Sequence, residues 1–590
     1  MQAMNELRQA ISQTPYDAVL IPGTDPHQSE YPPTQWETRQ YYTGFTGSNG
    51  HLIVSKDRAL LTTDSRYELQ VAKEVDFPGI ETQIIPRGGS FTSEINWAVE
   101  NIPNLSKLAV DPRLISLDKF QELTDLAESH GFELELIDDA LIDQTWANRP
   151  NRPMGKVRLS DESFHSSTRS EKISMVQSYL KDVDCDLHVM TDLESIARTL
   201  NITGEDAGVD LVALSYLVIG DEICRWFIDG EKIADAAQEL PETIEVLPYD
   251  SFSQSLKELS QGKRILLDRR DTTVFVLNSI HDSANIQFGR SPGLDLKQIK
   301  SPEEIEHMVN AHINDAVALA EGFTKLIAKV ERQETISEYE AGELISAERE
   351  KRPQFLTLSF NPIVGYQSNG AIVHYRAEEE TCSQLKAEGI VLIDSGGHYE
   401  NGTTDITRTL ALGPVTDDMI QRYTQVLKGH IGINRLKFAK NVAPSNIELI
   451  ARMHLLSEGL NYGHGTGHGV GYGTAVHESA EASLTMANRT PFQPGWVISN
   501  EPGFYLEGEF GIRIENLIAV EEISDEFYGF RQLSHFPYER DLIDLRELSN
   551  SEITWINQYH ESVANALISQ LSQDAGQWIA EKCAPLPLHD

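Results

Sequence analysis

Residues 391–408 read VLIDSGGHYENGTTDITR. A short apolar run, the signature of a buried strand, ends in a carboxylate, Asp394, and a second strand-like run carries another, Asp405. Asn401-Gly402 is the strongest two-residue hairpin signal and places the turn there. In that register Asp405 faces His398. Asp394 lies four residues before His398, so both acids point to one face. A flat ladder would leave them roughly 13 Å apart at the usual rise per residue. Ser395-Gly396-Gly397 supplies the backbone for a bulge or bend that closes the gap. Two like charges brought together in a core are very costly without a cation. Two solvated acids on an exposed hairpin fit the same pattern, and this stretch leaves both readings open.

Three downstream segments bear on the choice. Residues 462–473, YGHGTGHGVGYG, set His464 and His468 among six glycines without a nucleotide-binding GxGxxG or GK[ST] pattern. So little side-chain bulk permits close backbone approach and presents the imidazoles. Residues 496–503, WVISNEPG, form a strand that delivers Glu501 before a Pro-Gly turn. Residues 511–516, GIRIEN, alternate, with Ile512 and Ile514 on one face and Arg513 and Glu515 on the other. Asp394, Asp405, His468, Glu501 and Glu515 make an ordered set of four carboxylates and one imidazole, a charge balanced by two divalent cations. Oxygen-rich ligation with a single nitrogen suits Mn²⁺, with Co²⁺, Zn²⁺ or Fe²⁺ as alternatives. Two metals about 3.5–4 Å apart can hold a hydroxide between them as nucleophile.

Around this set the chain has 590 residues, too many for one core, and three α/β domains are expected. The first covers residues 1–147, with strands at 17–23 and 108–111 and a hairpin at 50–64, and it stops at the proline-rich 147–153. The second covers 148–299 and echoes the first: YTGFTG at 42–47 has its counterpart in LNITG at 200–204, each followed by an apolar hairpin. The third covers 300–590. Ser301 as N-cap, Pro302 and Glu304 open it with a capping box and a long helix. Net charge is −41, from 49 basic and 90 acidic residues, which repels phosphate backbones and anionic lipid. Neither nucleic acid nor a membrane is an expected partner. No run of 18 uncharged apolar residues and no N-terminal apolar core of a secretory signal is present. Cys185, Cys224, Cys382 and Cys583, without CxxC spacing, read as reduced thiols of a cytoplasmic protein.

These segments resemble the pita-bread metallopeptidases, the superfamily of methionine aminopeptidase, prolidase and aminopeptidase P. Over nearly its whole length the chain is similar to the long, three-domain aminopeptidases P. The stretches that carry the likeness include DPHQSEY at 25–31, TDSRY at 63–67, AHINDAVAL at 311–319, SNGAIVHY at 368–375 and WINQYH at 555–560. The resemblance implies two tandem creatinase-like α/β domains followed by a pita-bread catalytic domain with a C-terminal extension from about 525 to 590. It implies that Asp394 ligates one metal, Asp405 and Glu515 bridge both, and His468 and Glu501 complete the other. His374, His464 and His477 match the substrate-facing histidines. Arg513 matches an arginine beside the bridging glutamate, and Arg66 is also carried over as a peptide-binding residue.

The implied reaction hydrolyses the bond between an N-terminal residue and proline. Proline's nitrogen has no N–H and its ring fixes φ, so many peptidases cannot seat it. A hydroxide held between the metals attacks the carbonyl, Glu501 shuttles its proton to the proline nitrogen, and His464 or His477 stabilises the oxyanion. A prolidase-like dipeptidase shares this chemistry, and a non-catalytic pita-bread binding protein is the reading from another class. A homodimer through the third domain is expected, with the apolar residues Trp555, Ile556, Tyr559, Val563, Leu567, Leu571 and Trp578 as the contact or as a helix docked on its own domain.

Overall fold

The computed structural model describes residues 2–75, 77–86, 90–479 and 481–589. Two compact units divide the chain: Met1–Ser160 with Ser167–Leu296, and Asp161–Ser166 with Lys297–Asp590.

In the first unit, apolar runs with β-branched residues make two six-stranded sheets. One has the order Ile80–Ile85, Ala59–Asp64, His51–Ser55, Ala18–Pro22, Lys107–Val110, Glu133–Leu136. The other has the order Glu245–Leu247, Ile223–Phe227, Tyr216–Gly220, Leu187–Met190, Arg264–Leu267, Asn285–Phe288. Across either sheet the pairings run parallel, antiparallel, antiparallel, parallel, parallel. The echo of residues 42–47 in 200–204 is thus a repeated fold, with the two hairpins in equivalent places. The strands Ala18–Pro22 and Tyr216–Gly220 are buried at every position, as sheets covered on both faces require.

The second unit opens with helix Pro302–Glu331 of 30 residues. Its capping box forms as the sequence predicts: Glu304 N–H donates to Ser301 Oγ, and Ser301 N–H to Glu304 Oε2, both at 3.1 Å. Such a cap contributes about 1 kcal/mol. Behind the helix, strand Ile390–Ser395 lies between Ile363–Tyr366 and Ile406–Ala411, antiparallel to both. Phe355–Leu358 pairs with Gly397–Tyr399, which pairs with Gly402–Thr403. A four-stranded sheet, Lys437–Ala439, Phe527–Gln532, Asn516–Glu522, Val497–Asn500, and the hairpin Gly503–Leu506/Phe510–Arg513 complete the β structure of this unit among the described residues, and a small pair, Val157–Leu159 with Ile202–Gly204, lies in the first unit. The core joins Phe323 and Leu326 of the long helix to Val391, Ile393, Ile512 and Ile514.

The register of the opening hairpin differs from the sequence expectation. His398 pairs with Thr403 and Tyr399 with Gly402, so the turn is Glu400-Asn401, not Asn401-Gly402. Asp394 pairs with Thr407 in the same register, which places Asp405 opposite Gly396 rather than His398. The two acids become diagonal neighbours, on the order of 7–8 Å apart at the backbone, and no bulge is needed. The cause is tertiary. Asn401 Nδ2 donates to the His307 carbonyl at 3.1 Å, and a Cβ on Gly402 would lie 3.0 Å from Met308 Cγ and 3.2 Å from Met308 Cα. The glycine makes room for the long helix instead of turning the chain.

Helices Asn550–Leu567 and Gln573–Lys582 dock on their own unit. Ile556, Tyr559, Val563 and Leu567 are buried in its core, and Trp555, Leu571 and Trp578 pack half-buried against it. Docking on the unit's own core, one of the two fates open to that apolar set, thus accounts for most of its burial. Among the described residues no helix is long and apolar enough to cross a membrane.

Candidate metal centre

Four strand ends of the second unit converge on one buried cluster. Asp394 is the penultimate residue of strand Ile390–Ser395, Asp405 precedes Ile406–Ala411, Glu501 follows Val497–Asn500, and Arg513 closes Phe510–Arg513. Glu515 lies in the break where the chain leaves that hairpin for the four-stranded sheet, its N–H donating to the Thr407 carbonyl at 3.1 Å. The alternation read from GIRIEN survives the break: Ile512 and Ile514 are in the core, while Arg513 and Glu515 reach the acids. A loop brings in His468, whose neighbour Gly467 has no room for a Cβ against the Ser499 carbonyl.

Asp405, His468 and Glu515 offer ligand atoms that all lie within 4.8 Å of one another. His468 Nδ1–H donates to the Gly469 carbonyl at 3.0 Å, which turns Nε2 toward Asp405 Oδ2 at 3.3 Å and Glu501 Oε1 at 3.6 Å. Asp394 Oδ2 accepts from Arg513 Nη2 at 2.6 Å, and Glu515 Oε2 from Thr407 Oγ1 at 2.7 Å. The other oxygens, Asp394 Oδ1, Asp405 Oδ1 and Glu515 Oε1, are buried and meet no protein donor.

Electrostatics points the same way. Burial, with Arg513 opposing and Asp405 adding to it, pushes the Asp394 carboxyl up to about 7. Burial and the neighbouring acids raise Glu515 well above the carboxylate range, and burial also raises Glu501. Burial works against the His468 imidazolium, yet Asp405 and Glu501 hold its pKa up at about 9. The acids therefore cannot all ionise alone, and their free oxygens together with His468 Nε2 fit divalent cations.

The other sequence-predicted residues divide. Arg513 is buried within the cluster. His477 stacks edge-on against His468 with ring centroids 4.3 Å apart. His464 Nδ1–H donates to the Gly465 carbonyl at 2.8 Å, and its Nε2 accepts from the Tyr505 hydroxyl at 2.8 Å. That hydroxyl in turn accepts from Arg513 Nη1 at 2.9 Å, linking His464 to the cluster. His374 is half-buried on the loop that follows Gln367–Ala371. Arg66 is not in this unit. It is buried in the first, where Asp64 binds it at 2.8 Å and Glu30 lies 3.7 Å away, and it lines a cavity of about 350 Å³.

Residues that sequence reasoning missed hold the machinery in place. Thr407, inside the opening stretch, donates to Glu515 and accepts from Arg513 Nε at 3.2 Å. Arg452 bonds the carbonyls of Tyr462 at 2.7 Å and His464 at 2.5 Å, and its partner Glu448 accepts from Thr466 at 2.7 Å. The four-residue spacing of Glu448 and Arg452 on one helix face was the available signal.

Comparisons with known proteins give the same picture. Residues 306–522 match metallopeptidase family M24, residues 4–139 and 148–304 each match a creatinase/prolidase N-terminal domain, and 526–586 match the C-terminal region of M24 peptidases. Xaa-Pro aminopeptidase 1 of Dictyostelium discoideum is 34% identical over 99% of this chain and 96% of its own. The X-prolyl aminopeptidase of Caenorhabditis elegans, described as a cytosolic enzyme with a di-nuclear active site, superposes with a TM-score of 0.93 at 29% identity over 99% of both chains. A prolidase from Thermococcus sibiricus, 25% identical with a TM-score of 0.51, covers 99% of its own chain but 63% of this one. With two creatinase-like N-terminal domains, an M24 catalytic domain and a full-length likeness to curated Xaa-Pro aminopeptidases, the chain belongs to the aminopeptidase P family of M24 metallopeptidases.

Proposed function

We propose that this chain is a dinuclear metal-dependent aminopeptidase that releases an N-terminal residue from peptides with proline in second position. The observation that carries the reading is the buried Asp405–His468–Glu515 cluster, in which Asp405 Oδ1 and Glu515 Oε1 meet no protein donor. Asp394, Asp405, His468, Glu501 and Glu515 would hold two divalent metals, with Mn²⁺ favoured over Co²⁺ or Zn²⁺ by the oxygen-rich donor set. Bound there, the metals supply Lewis acidity and lower the pKa of water.

The protein's own groups do the rest. Glu501 takes a proton from the attacking water and returns it to the proline nitrogen as the bond breaks. Both ring nitrogens of His464 already bond to Gly465 and Tyr505, so we assign donation to the oxyanion to His477 and the placing of the peptide to His464, His374 and Arg513. Arg66 lines its own cavity in the first unit, and its peptide-binding role stands only as what the family resemblance implies. Chelation should abolish cleavage of Arg-Pro-Pro and Mn²⁺ should restore it. Turnover in metal-free protein would sink the mechanism, and preference for a Xaa-Pro dipeptide would favour a prolidase. The prolidase reading leaves more than a third of the chain without a counterpart, since that likeness covers 63% of it.

The division into domains at residues 147 and 299, with the extension from about 525, belongs to the same proposal. The repeated strand order supports it and limited proteolysis tests it. We place the enzyme in the cytoplasm, in line with four unpaired cysteines and the cytosolic neighbour, which fractionation of cells would check. We also propose a homodimer. Leu449, Met453 and Leu456 stand 51%, 50% and 40% exposed on helix Pro444–Leu456, on one face by their spacing. With −41 charges per chain, contact there should tighten as salt screens repulsion. Light scattering should report twice the 66.0 kDa chain mass at moderate salt, and Met453→Glu should shift it toward monomer. A wild-type monomer at every salt concentration would refute the dimer.

A further inference from the structure

The loop that carries His374 is organised by a carboxylate that belongs to none of the motifs. Glu338 opens helix Glu338–Arg349 and is 0% exposed. Its Oε1 accepts from the Tyr366 backbone N–H at 2.6 Å and from Asn369 Nδ2 at 3.0 Å. Its Oε2 accepts from Asn369 Nδ2 at 3.0 Å, the Tyr375 hydroxyl at 2.9 Å and the Ser383 N–H at 2.7 Å. The Glu338 N–H donates in return to the Ser383 carbonyl at 3.0 Å. These donors come from the strand before the loop, from its turn, from the residue beside His374 and from its far end. All of them are neutral.

A buried carboxylate is costly unless its oxygens are satisfied, and hydrogen bonds to an ionised acceptor are roughly twice as strong as neutral ones. Glu338 therefore ties four points of a loop that has little regular structure of its own. The loop's other side meets the metal centre's scaffold: the Gly370 carbonyl occupies the place where a Cβ on Gly511 would fall, two residues before Arg513. Arg513 holds Asp394 at 2.6 Å. The segment leading to His374 thus spans from the Glu338 carboxylate to the strand that bears the cluster's arginine.

We infer that Glu338 is the positioning residue for His374, setting where that imidazole stands against the peptide. The inference rests on the substrate role given to His374 above. It goes beyond the metal chemistry, because Glu338 reaches the reaction only through the loop.

The test is a double-mutant cycle on the Mn²⁺-loaded enzyme with Arg-Pro-Pro, alongside metal analysis and hydrogen exchange of residues 366–383. Glu338→Gln, similar in size, should keep two metals per chain and speed exchange in that loop. It should lower kcat/KM about tenfold to a hundredfold, the range for small misplacement of a catalytic-site group. Combined with His374→Ala, it should add less than about twofold to the loss of His374→Ala alone, because both act through one side chain. Losses that multiply, or a Glu338→Gln enzyme within about twofold of wild type, overturn the inference. If Glu338→Gln does not fold, Tyr375→Phe removes one donor and enters the same cycle with an expected loss of about threefold to tenfold. If wild-type holoenzyme cleaves no Xaa-Pro peptide, the functional reading falls instead. Whatever the activity, unchanged protection of 366–383 in Glu338→Gln ends the positioning role.

Discussion

Replacing Glu515 by glutamine, or Asp405 by asparagine, is expected to strip both metals and to cut Arg-Pro-Pro cleavage by about a thousandfold or more, since Lewis-acid stabilisation of several kcal/mol is lost at about 1.4 kcal/mol per tenfold. These carboxylates lie within ligand distance of each other and of His468, and each has a buried oxygen facing no protein donor. Glu515 cannot swing away to compensate, because Thr407 holds its Oε2 at 2.7 Å. Asp394→Asn should be milder. Arg513 binds its Oδ2 at 2.6 Å, so only Oδ1 is free for a cation, and one metal should survive. Elemental analysis with a rate assay checks all three variants. Two metals and a wild-type rate in Glu515→Gln would mean the bridge has been misassigned.

The second large effect separates two histidines four residues apart. His468→Ala should lower metal occupancy, because its Nε2 faces Asp405 and Glu501 at 3.3 and 3.6 Å. His464→Ala should keep two metals and lose about a hundredfold in kcat/KM, the cost of misplacing the peptide by about an ångström. Its Nε2 engages the Tyr505 hydroxyl at 2.8 Å, one step removed from the acids through Arg513. Loss of metal from His464→Ala with retention in His468→Ala would exchange the two roles.

Much of this centre was legible in one dimension because its information is local. Strand alternation put Arg513 and Glu515 on the same side, and a run of valine, leucine and isoleucine marked the strand that ends in Asp394. The capping box at Ser301–Glu304 marked the start of the long helix. Metal ligands leave the clearest trace, since a carboxylate at the end of a buried strand is costly without a partner for its charge.

What the sequence by itself determined is the strands that carry the acids, the start of the long helix, the repeated N-terminal fold and the five acidic and imidazole groups that belong together. Only the tertiary structure decided how they meet. The hairpin turned at Glu400-Asn401 instead of Asn401-Gly402 because the long helix claims the space at Gly402, and that register brought Asp405 toward Asp394. The apolar face of residues 555–578 closed on its own core, since helical spacing says that a face must be buried but not against what. Glu338, Thr407 and Tyr505 were invisible as site residues for one physical reason. A buried polar group takes whichever partner packing delivers, and those partners lie tens to more than a hundred residues away along the chain.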